Sequence, residues 1–500
     1  MSFQPMNVGT MPTNVTPLPT AKSANPRPRR SKLIPGAGSL SQAMDADASV
    51  EMQFAASLED DPDLITGGEN DETLYRWTGV YWEEVSERKL VGRAMEFLRD
   101  HEQKAFSKRE ARSMVESAMA YLVMFKALPE PAQGDTKVTF VQLRNGVLEL
   151  RNDGQLLAHR PNKRFGTTFC VQADLDWERV GQDGTYRLRP VDPASKFGGF
   201  LHRIAPRRDL QDYIAEALGS TLTTHNWQKA IWLHGSGGNG KGTLSNIIAA
   251  FHAKVAAFDL ENLDKDFLTG DLVNATLVRV DESETVNAKK FKSWVGRDPQ
   301  QINRKNKDPI QIRPKATFLL SMNETLRAHD HSVGFRRRIC AIPMMATFHN
   351  TTGTDTDWHE QVTEDSAEMA VVLDWLLAGA VSLVKRRRFM SSDEAPPDVR
   401  ALEMQIQDDT DPLARWVHEH DVRVDTSVLT GKTAAYQAFR DQCQAWGFSP
   451  TKIVQDRMFW IRLRTLLPGV KDETHIRHEG GRVLAVPLRI EGVPSLRSGR

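Results

Sequence analysis

This 500-residue sequence is poor in the features that would fix its class at a glance. It holds three cysteines, Cys170, Cys340 and Cys443, far apart along the chain. No pair has the spacing of a zinc site or a redox motif, and a disulfide framework does not fit. The cysteines read as small core residues in a reducing compartment. Net charge is also missing, since 65 Lys and Arg balance 65 Asp and Glu. That balance neither demands nor forbids a polyanionic partner, so local clusters must decide. No uninterrupted apolar run is long enough to cross a bilayer. The opening "MSFQPMNVGTMPTNVTPLPTAKSANPRPRRSKLIPG" lacks the apolar stretch of a signal peptide. No solenoid period recurs. A cytoplasmic protein with no membrane partner is expected.

What is present falls into blocks. Residues 1–45, rich in Pro, Ser, Thr and Asn, read as a disordered basic leader with "RPRRSK" free to touch phosphates. Residues 46–72 read as an acidic linker. "TLYRWTGVYWEEV" alternates apolar and polar residues around Thr78-Gly79, which predicts a hairpin. A stretch of helical periodicity follows, then strands around the turns Asn145-Gly146 and Asp153-Gly154, then a helix from Asp209 to Gly219. Together these make residues 73–220 a mixed α/β domain. From 221 to 390, short apolar strands alternate with helices, the pattern of an α/β nucleotide-binding sheet. Residues 391–410, with "MSSDEAPPDVR", read as a linker to a C-terminal unit at 411–493, and 494–500 as a tail.

The chemistry concentrates in the second block. "KAIWLHG" is a strand candidate and "GTLSNIIAAFHA" a helix candidate, with Gly235-Ser236-Gly237-Gly238-Asn239-Gly240-Lys241 between them. Glycines let backbone amides and a helix N-terminus close on phosphate oxygens, and Lys241 reaches the terminal phosphates of ATP. Gly242 stands where a hydroxyl for Mg2+ is usual. Thr243, one residue on, supplies it instead, or water fills the position. Downstream, "NATLVRVDESE" ends in Asp281 and Glu282, one carboxylate to hold hydrated magnesium and one to orient or deprotonate the attacking water. "KATFLLSMNE" brings Asn323 to the same edge if the two strands are parallel neighbours. "FRRRICAIP" then sets Arg336, Arg337 and Arg338 ahead of another strand. Guanidinium groups stabilise a phosphoryl group in transfer, although an isolated run of three arginines is more often a solvated or nucleic-acid-facing patch.

Taken in this order, these segments resemble superfamily 3 helicases, and among them the primase–helicase family of phages, plasmid satellites and poxviruses. The resemblance runs from Thr73 to Arg388 and includes the intermediate stretch "FKSWVGRDPQQINRKNKDPIQIRPKATF". It implies an AAA+-like P-loop ATPase core that works as a homo-oligomeric ring, a hexamer, on single-stranded and forked DNA. It assigns nucleotide and metal to Lys241 and Thr243, hydrolysis to Asp281 and Glu282, and phosphate sensing to Asn323. Arg337 and Arg338 become fingers reaching into a neighbouring subunit. The basic turn "NRKNKD" then sets Arg304, Lys305 and Lys307 against a phosphate backbone in the ring's channel.

The C-terminal unit reads helix, helix, helix, then two strands joined through Gly480-Gly481, an order that suits a winged helix. Its third helix offers Arg457, Arg462 and Arg464 to DNA, and its turn offers Arg477, His478 and Arg482. Trp416, Tyr436, Phe439, Trp446 and Trp460 read as core. No polymerase-like primase domain fits ahead of Thr221, so primer synthesis is expected from a separate primase or from host replication proteins. Two other readings stand beside the helicase: an initiator or helicase loader that does not unwind, and a P-loop kinase. The arginine run and the basic turn argue against the kinase.

Overall fold

The computed structural model describes residues 48–67, 73–102, 107–122, 138–265, 268–283, 285–304, 307–325, 327–328, 333–348, 358–448, 453–470, 473–478 and 481–496. The basic leader, Lys305 and Gly480 lie outside them.

The chain is already folded where an acidic linker was expected. Helix α1 (Val50–Glu59) is capped by Ser49, whose hydroxyl accepts from the Met52 amide. It buries Phe54, Ala55, Ala56 and Leu58 against α2 (Glu87–Glu102) and α3 (Lys108–Leu122). Strand β1 (Leu64–Gly67) pairs with β2 (Thr73–Trp77), and β2 with β3 (Trp82–Glu84), in an antiparallel sheet. The predicted hairpin around Thr78-Gly79 is present, with Trp77 directly opposite Trp82. Acidic neighbours dilute the segment's composition, but the apolar residues of α1 keep helical spacing, and burial of that face is what orders it.

A second antiparallel sheet consists of β4 (Val138–Leu143), β5 (Gly146–Arg151) and β6 (Leu156–His159), turning at the expected glycine-containing pairs. Helices α4 (Lys196–Ile204) and α5 (Arg208–Gly219) follow.

The centre of the molecule is a five-stranded parallel sheet. Strands β7 (Ala230–His234), β8 (Val255–Ala257), β9 (Leu277–Asp281), β13 (Thr317–Met322) and β15 (Ile339–Pro343) lie in the order β15-β7-β13-β9-β8. Side chains alternate across it as a strand period of two requires. Ile231, Leu233, Leu319, Cys340 and Ile342 enter one core, and Trp232, Val278, Val280, Phe318 and Leu320 enter the other. Both faces are covered, as parallel sheets need. Helix α6 (Lys241–Ala249) leaves β7, and α7 (Ala288–Val295) follows β9 after the two-residue strand β10 (Thr285–Val286), which pairs with β14 (Arg327–Ala328). An antiparallel hairpin, β11 (Gln300–Arg304) and β12 (Lys307–Ile312), projects before β13 and is rooted by buried Ile302.

Helix α8 (Ser366–Arg386) is by length and composition able to cross a membrane, and no other helix among the described residues is. Over half of its apolar window is buried inside this protein. It packs on α5 so closely that a Cβ at Gly379 would stand 2.1 Å from the Ala215 carbonyl. It also carries fully buried Asp374, whose carboxylate accepts from the Tyr186 hydroxyl at 2.7 Å and from the Arg189 amide and guanidinium at 2.8 and 2.9 Å. Burial raises the pKa of that carboxyl, and the hydrogen bonds oppose the rise.

The stretch at 391–410 is not a linker. Most of it is helix α9 (Pro397–Thr410), with Pro397 in the first turn and Val399 and Leu402 buried, lying against β15. The Pro-Pro pair that reads as a breaker marks the helix start. Beyond it, α10 (Pro412–Glu419), α11 (Lys432–Ala445) and α12 (Asp456–Leu466) enclose an aromatic core in which Trp416, Phe439 and Phe459 meet at 5.1 to 5.8 Å. Strands β17 (Thr430–Gly431), β18 (Thr474–His478) and β19 (Gly481–Val486) form the sheet β17-β19-β18, and β16 (Arg423–Val424) pairs with β20 (Leu488–Arg489). The strand at 430–431 ahead of α11 is an addition to the expected order. All three cysteines are free and buried.

Candidate nucleotide and nucleic-acid sites

The carboxyl edge of the parallel sheet gathers the expected residues. Register places Met322 and Pro343 on either side of His234, and Ser321 opposite Asp281. The glycine loop leaves β7 at this edge, and Asn323, Asp281 and Glu282 leave β13 and β9 beside it. In open α/β sheets such an edge, where connections diverge from one strand, is where ligands sit.

The loop's shape depends on two glycines in particular. A Cβ on Gly235 would stand 2.1 Å from Asn239 Nδ2, so the buried Asn239 side chain folds back only because that position is bare. Gly240 caps α6 with φ 86°, a left-handed conformation costly for other residues, and gives no side-chain cap to the helix's first amides. Uncapped amides at a helix N-terminus, together with the helix dipole, favour an anion. Gly237 and Gly242 are different, since a Cβ at either meets nothing within 4 Å. Packing therefore does not impose glycine at 242.

Lys241 is buried, and its ammonium donates to Gly235 O at 2.6 Å, Ser236 O at 3.1 Å, Asn239 Oδ1 at 3.0 Å and Asn323 Oδ1 at 2.8 Å. Burial lowers its pKa, and the nearby Glu282 carboxylate opposes this. Asn323 in turn donates through Nδ2 to Glu282 Oε1 at 2.9 Å. The orientation is chemically determined, with the amide oxygen facing the ammonium and its nitrogen the carboxylate. Glu282 itself holds φ 65°, and its amide donates to Ser321 O. A non-glycine residue in that region turns the chain sharply, and here the turn brings Glu282 back to the Asn323 amide while Asp281 ends the strand. Lys241, Asn323 and Glu282 thus form one continuous chain of hydrogen bonds.

Oxygen donors suited to a hard cation are present on either side of the loop. Asp281 is 57% exposed with the Arg279 guanidinium 3.4 Å away, and Thr243 sits half-buried in the first turn of α6. A carboxylate and a hydroxyl fit magnesium, which keeps several of its waters. Among the described residues no cluster of three His, Cys, Asp or Glu could hold a metal by itself.

A cavity of about 430 Å³ opens beside this chain, lined by His234, Asn323, Glu324 and Thr325, and by Gln405, Asp409 and Thr410 of α9. The α9 wall escapes the sequence reading because its residues read as a linker. The helical spacing of Val399, Leu402 and Ile406 was the available signal. Thr325 donates to Asp409 at 2.9 Å, and the pKa of His234 is lowered by burial and by Lys241, with Asp409 opposing.

The arginine run lies at the other edge. Ile339, the first residue of β15, is opposite Ala230, the first residue of β7, whereas the glycine loop follows the last, His234. That separates Arg337 and Arg338 from the chain's own loop by about 13 Å of strand. Arg337 is exposed, while Arg338 donates to Gly334 O at 2.9 Å and has its pKa lowered by burial and by Arg337.

The expected DNA contacts divide. Arg304 and Lys307 face each other in the β11–β12 register at the end of the hairpin, and Lys305 lies outside the described residues. On α12, Arg457 is exposed. Arg462 instead turns inward, 2.6 Å from nearly buried Asp411, the residue that caps α10, and Arg464 pairs with Glu473 and donates to Val470 O. These two hold the C-terminal unit together, because a carboxylate buried at a helix cap needs a cation. The neighbouring hairpin is more exposed: Arg477 and Arg482 are direct cross-strand partners.

Two family models match the chain. Residues 54–204 match one described as D5 N terminal like, and residues 233–338 match a family of unknown function (DUF5906). The second span runs from the end of β7 to the arginine run, so it encloses the glycine loop, Asp281, Glu282 and Asn323 but not the α9 wall of the cavity. No curated protein matches. Solved structures of the NrS-1 C-terminal region align at 16% identity, one covering 69% of this chain and 96% of that chain at a TM-score of 0.36. Another, of residues 305–718, covers 69% and 94% at 0.34. The chain therefore carries a D5 N terminal like region followed by a separately matched segment that holds the nucleotide-site candidates.

Proposed function

We propose that this chain is an ATP-dependent DNA helicase of phage or mobile-element replication, of the superfamily 3 primase–helicase type. The observation that carries the proposal is the hydrogen-bonded chain Lys241–Asn323–Glu282 at the mouth of a glycine loop on a parallel sheet. It assembles a phosphate-binding cation, a polar amide and a carboxylate within reach of one ligand, as ATP hydrolysis requires. A matched D5 N terminal like region ahead of it adds weight.

On this reading the sheet is an AAA+-like P-loop core. The backbone of Gly235–Gly240, with Ser236 and Asn239, cradles the phosphates of ATP. Lys241 exchanges its loop carbonyl partners for phosphate oxygens, Asn323 senses the terminal phosphate, and Glu282 orients and deprotonates water. Magnesium, held through Asp281 and Thr243, supplies charge neutralisation on the phosphates. Arg337 and Arg338, too far from their own loop, serve the site of a neighbouring copy, which makes the working unit a homo-oligomeric ring, a hexamer. Arg337 is the better placed finger because it is exposed. The β11–β12 hairpin, with Arg304, Lys305 and Lys307, grips the backbone of single-stranded or forked DNA. The C-terminal unit is winged-helix-like. Its DNA face is the β18–β19 hairpin with Arg457, because like charges directly across a ladder repel, and a phosphate offsets that cost. The site of action is the cytoplasm of the host cell.

The test is strand displacement on a forked duplex with ATP, using the full chain and a Lys241→Ala control. Displacement that vanishes in the control is expected. DNA-stimulated hydrolysis without displacement would instead mark a loader or initiator, and hydrolysis indifferent to DNA would sink the proposal.

A further inference from the structure

A nucleoside triphosphate has two ends, and the sheet gives them different neighbours. The glycine loop leaves β7, which lies between β13 and β15. On the β13 side stand Asn323 and Glu282, which suit the terminal phosphate. On the β15 side the departing chain turns back over the loop. The Met344 amide donates to His234 O at 2.9 Å, and the Phe348 amide to Gly238 O at 2.7 Å. A triphosphate with its terminal end at Asn323 directs its other end toward Phe348.

Phe348 is half-buried, its ring edge 3.1 Å from where a Cβ on Gly240 would lie. Arg203, at the end of α4, covers one face with its guanidinium carbon 4.1 Å from the ring centroid. Phe200 lies nearly parallel beside Phe348, at 6.1 Å and 19°. Arg203 is exposed and forms no ion pair among the described residues, so its position is set by the ring it covers. A planar cation laid over an aromatic face beside the glycine loop presents an exposed outer plane, which stacks a nucleobase without needing its hydrogen-bond code.

Building on the nucleotide reading above, we infer that Phe348 and Arg203 form the shelf that receives the nucleoside end of the bound triphosphate. The base stacks on this pair while Lys241 holds the phosphates. The plain alternative is that Phe348 only props Gly240 from behind. The two differ in one measurable respect, since a prop serves any phosphate chain and a shelf serves only one bearing a base.

The experiment is calorimetric titration of the full chain with ATP and with inorganic triphosphate. The wild type is compared with Phe348→Leu, which keeps apolar bulk against Gly240, and with Arg203→Lys, which keeps the charge and loses the plane. Phe348→Leu is expected to weaken ATP roughly ten-fold or more while triphosphate affinity stays put. Arg203→Lys should shift ATP in the same direction by less. Equal losses for both ligands, or no loss of ATP in either variant, overturn the shelf. Wild-type protein that takes up neither ligand removes the nucleotide site itself, and the shelf with it.

Discussion

His252 offers a test of how the base of α6, the helix that presents Lys241, is fixed. Its ring is buried just beyond that helix, with Nε2 3.2 Å from the Thr221 hydroxyl and Nδ1 3.2 Å from that of Thr276. Burial pushes the imidazole from its ordinary 6.5 down to about 4. Unfolding restores the ordinary value, so the neutral ring contributes stability in full above pH 6.5. That contribution is lost as pH falls from 6.5 to 4. The loss is about 2 kcal/mol at pH 5 and levels off at about 3 kcal/mol below pH 4. His252→Gln keeps a donor and an acceptor and cannot titrate. Urea unfolding followed by tryptophan emission, at about pH 7.5 and about pH 5, should show the wild type losing about 2 kcal/mol more than the variant. Carboxylates elsewhere weaken both proteins alike and drop out of the difference. Two curves falling in parallel would refute the argument that the ring is held neutral.

Three further outcomes follow from the geometry. Glu282→Gln should bind ATP with near wild-type affinity and hydrolyse it at least a hundred-fold more slowly, on the order expected for removing a general base; unchanged turnover would take Glu282 out of the chemistry. Arg386→Met leaves Glu216, 1% exposed, without the guanidinium that lies 2.6 Å from both its oxygens, which should cost roughly 3–5 kcal/mol. The deficit should shrink at acid pH as the carboxyl takes up a proton, and a pH-independent loss in urea titrations would contradict this. Mixing Arg337→Ala chains with Lys241→Ala chains should recover part of the ATPase activity neither has alone; solo activity of Arg337→Ala equal to wild type would dismiss the finger.

The sheet edge was legible in the sequence because each of its signals is local. A glycine run between an apolar strand and a helix, and strands ending in Asp281-Glu282 or in Met322-Asn323, need no knowledge of distant partners. Their neighbourhood needed only that the strands be parallel, and β9-β13-β7 are. Residues whose roles depend on a distant partner were misread. Arg462 carries the same charge whether it faces a phosphate or Asp411, and only the fold places Asp411 beneath it. Residues 46–72 and 391–410 failed for a related reason. Their acidic and proline-rich composition is that of a linker, while α1 and α9 are helices because Phe54, Leu58 and Val399 find cores built by other parts of the chain.

The boundary expected at residue 220 fails for the most consequential version of this reason. The largest core is continuous from Val141 and Leu148 of the second antiparallel sheet, through α4 and α5, to Ile231 and Leu233 of β7 and on to α8 and Val399 of α9. The D5 N terminal like match ends at Ile204, and Ile204 and Phe200 are two of the side chains against which Gly240 sits, 3.2 and 3.0 Å from a Cβ placed there. The back wall of the glycine loop therefore belongs to the region that precedes it. Buried pairs run the same way, Asp374 of α8 to Tyr186 and Arg189, and Arg386 to Glu216. Cutting the chain at 220 would strand these charges and remove the wall, so the chain from the second antiparallel sheet onward shares one core with the segment that carries the loop, while α1–α3 keep a core of their own. Any displacement of α4 relative to the sheet is felt at the loop through Phe200, with no intervening hinge to absorb it.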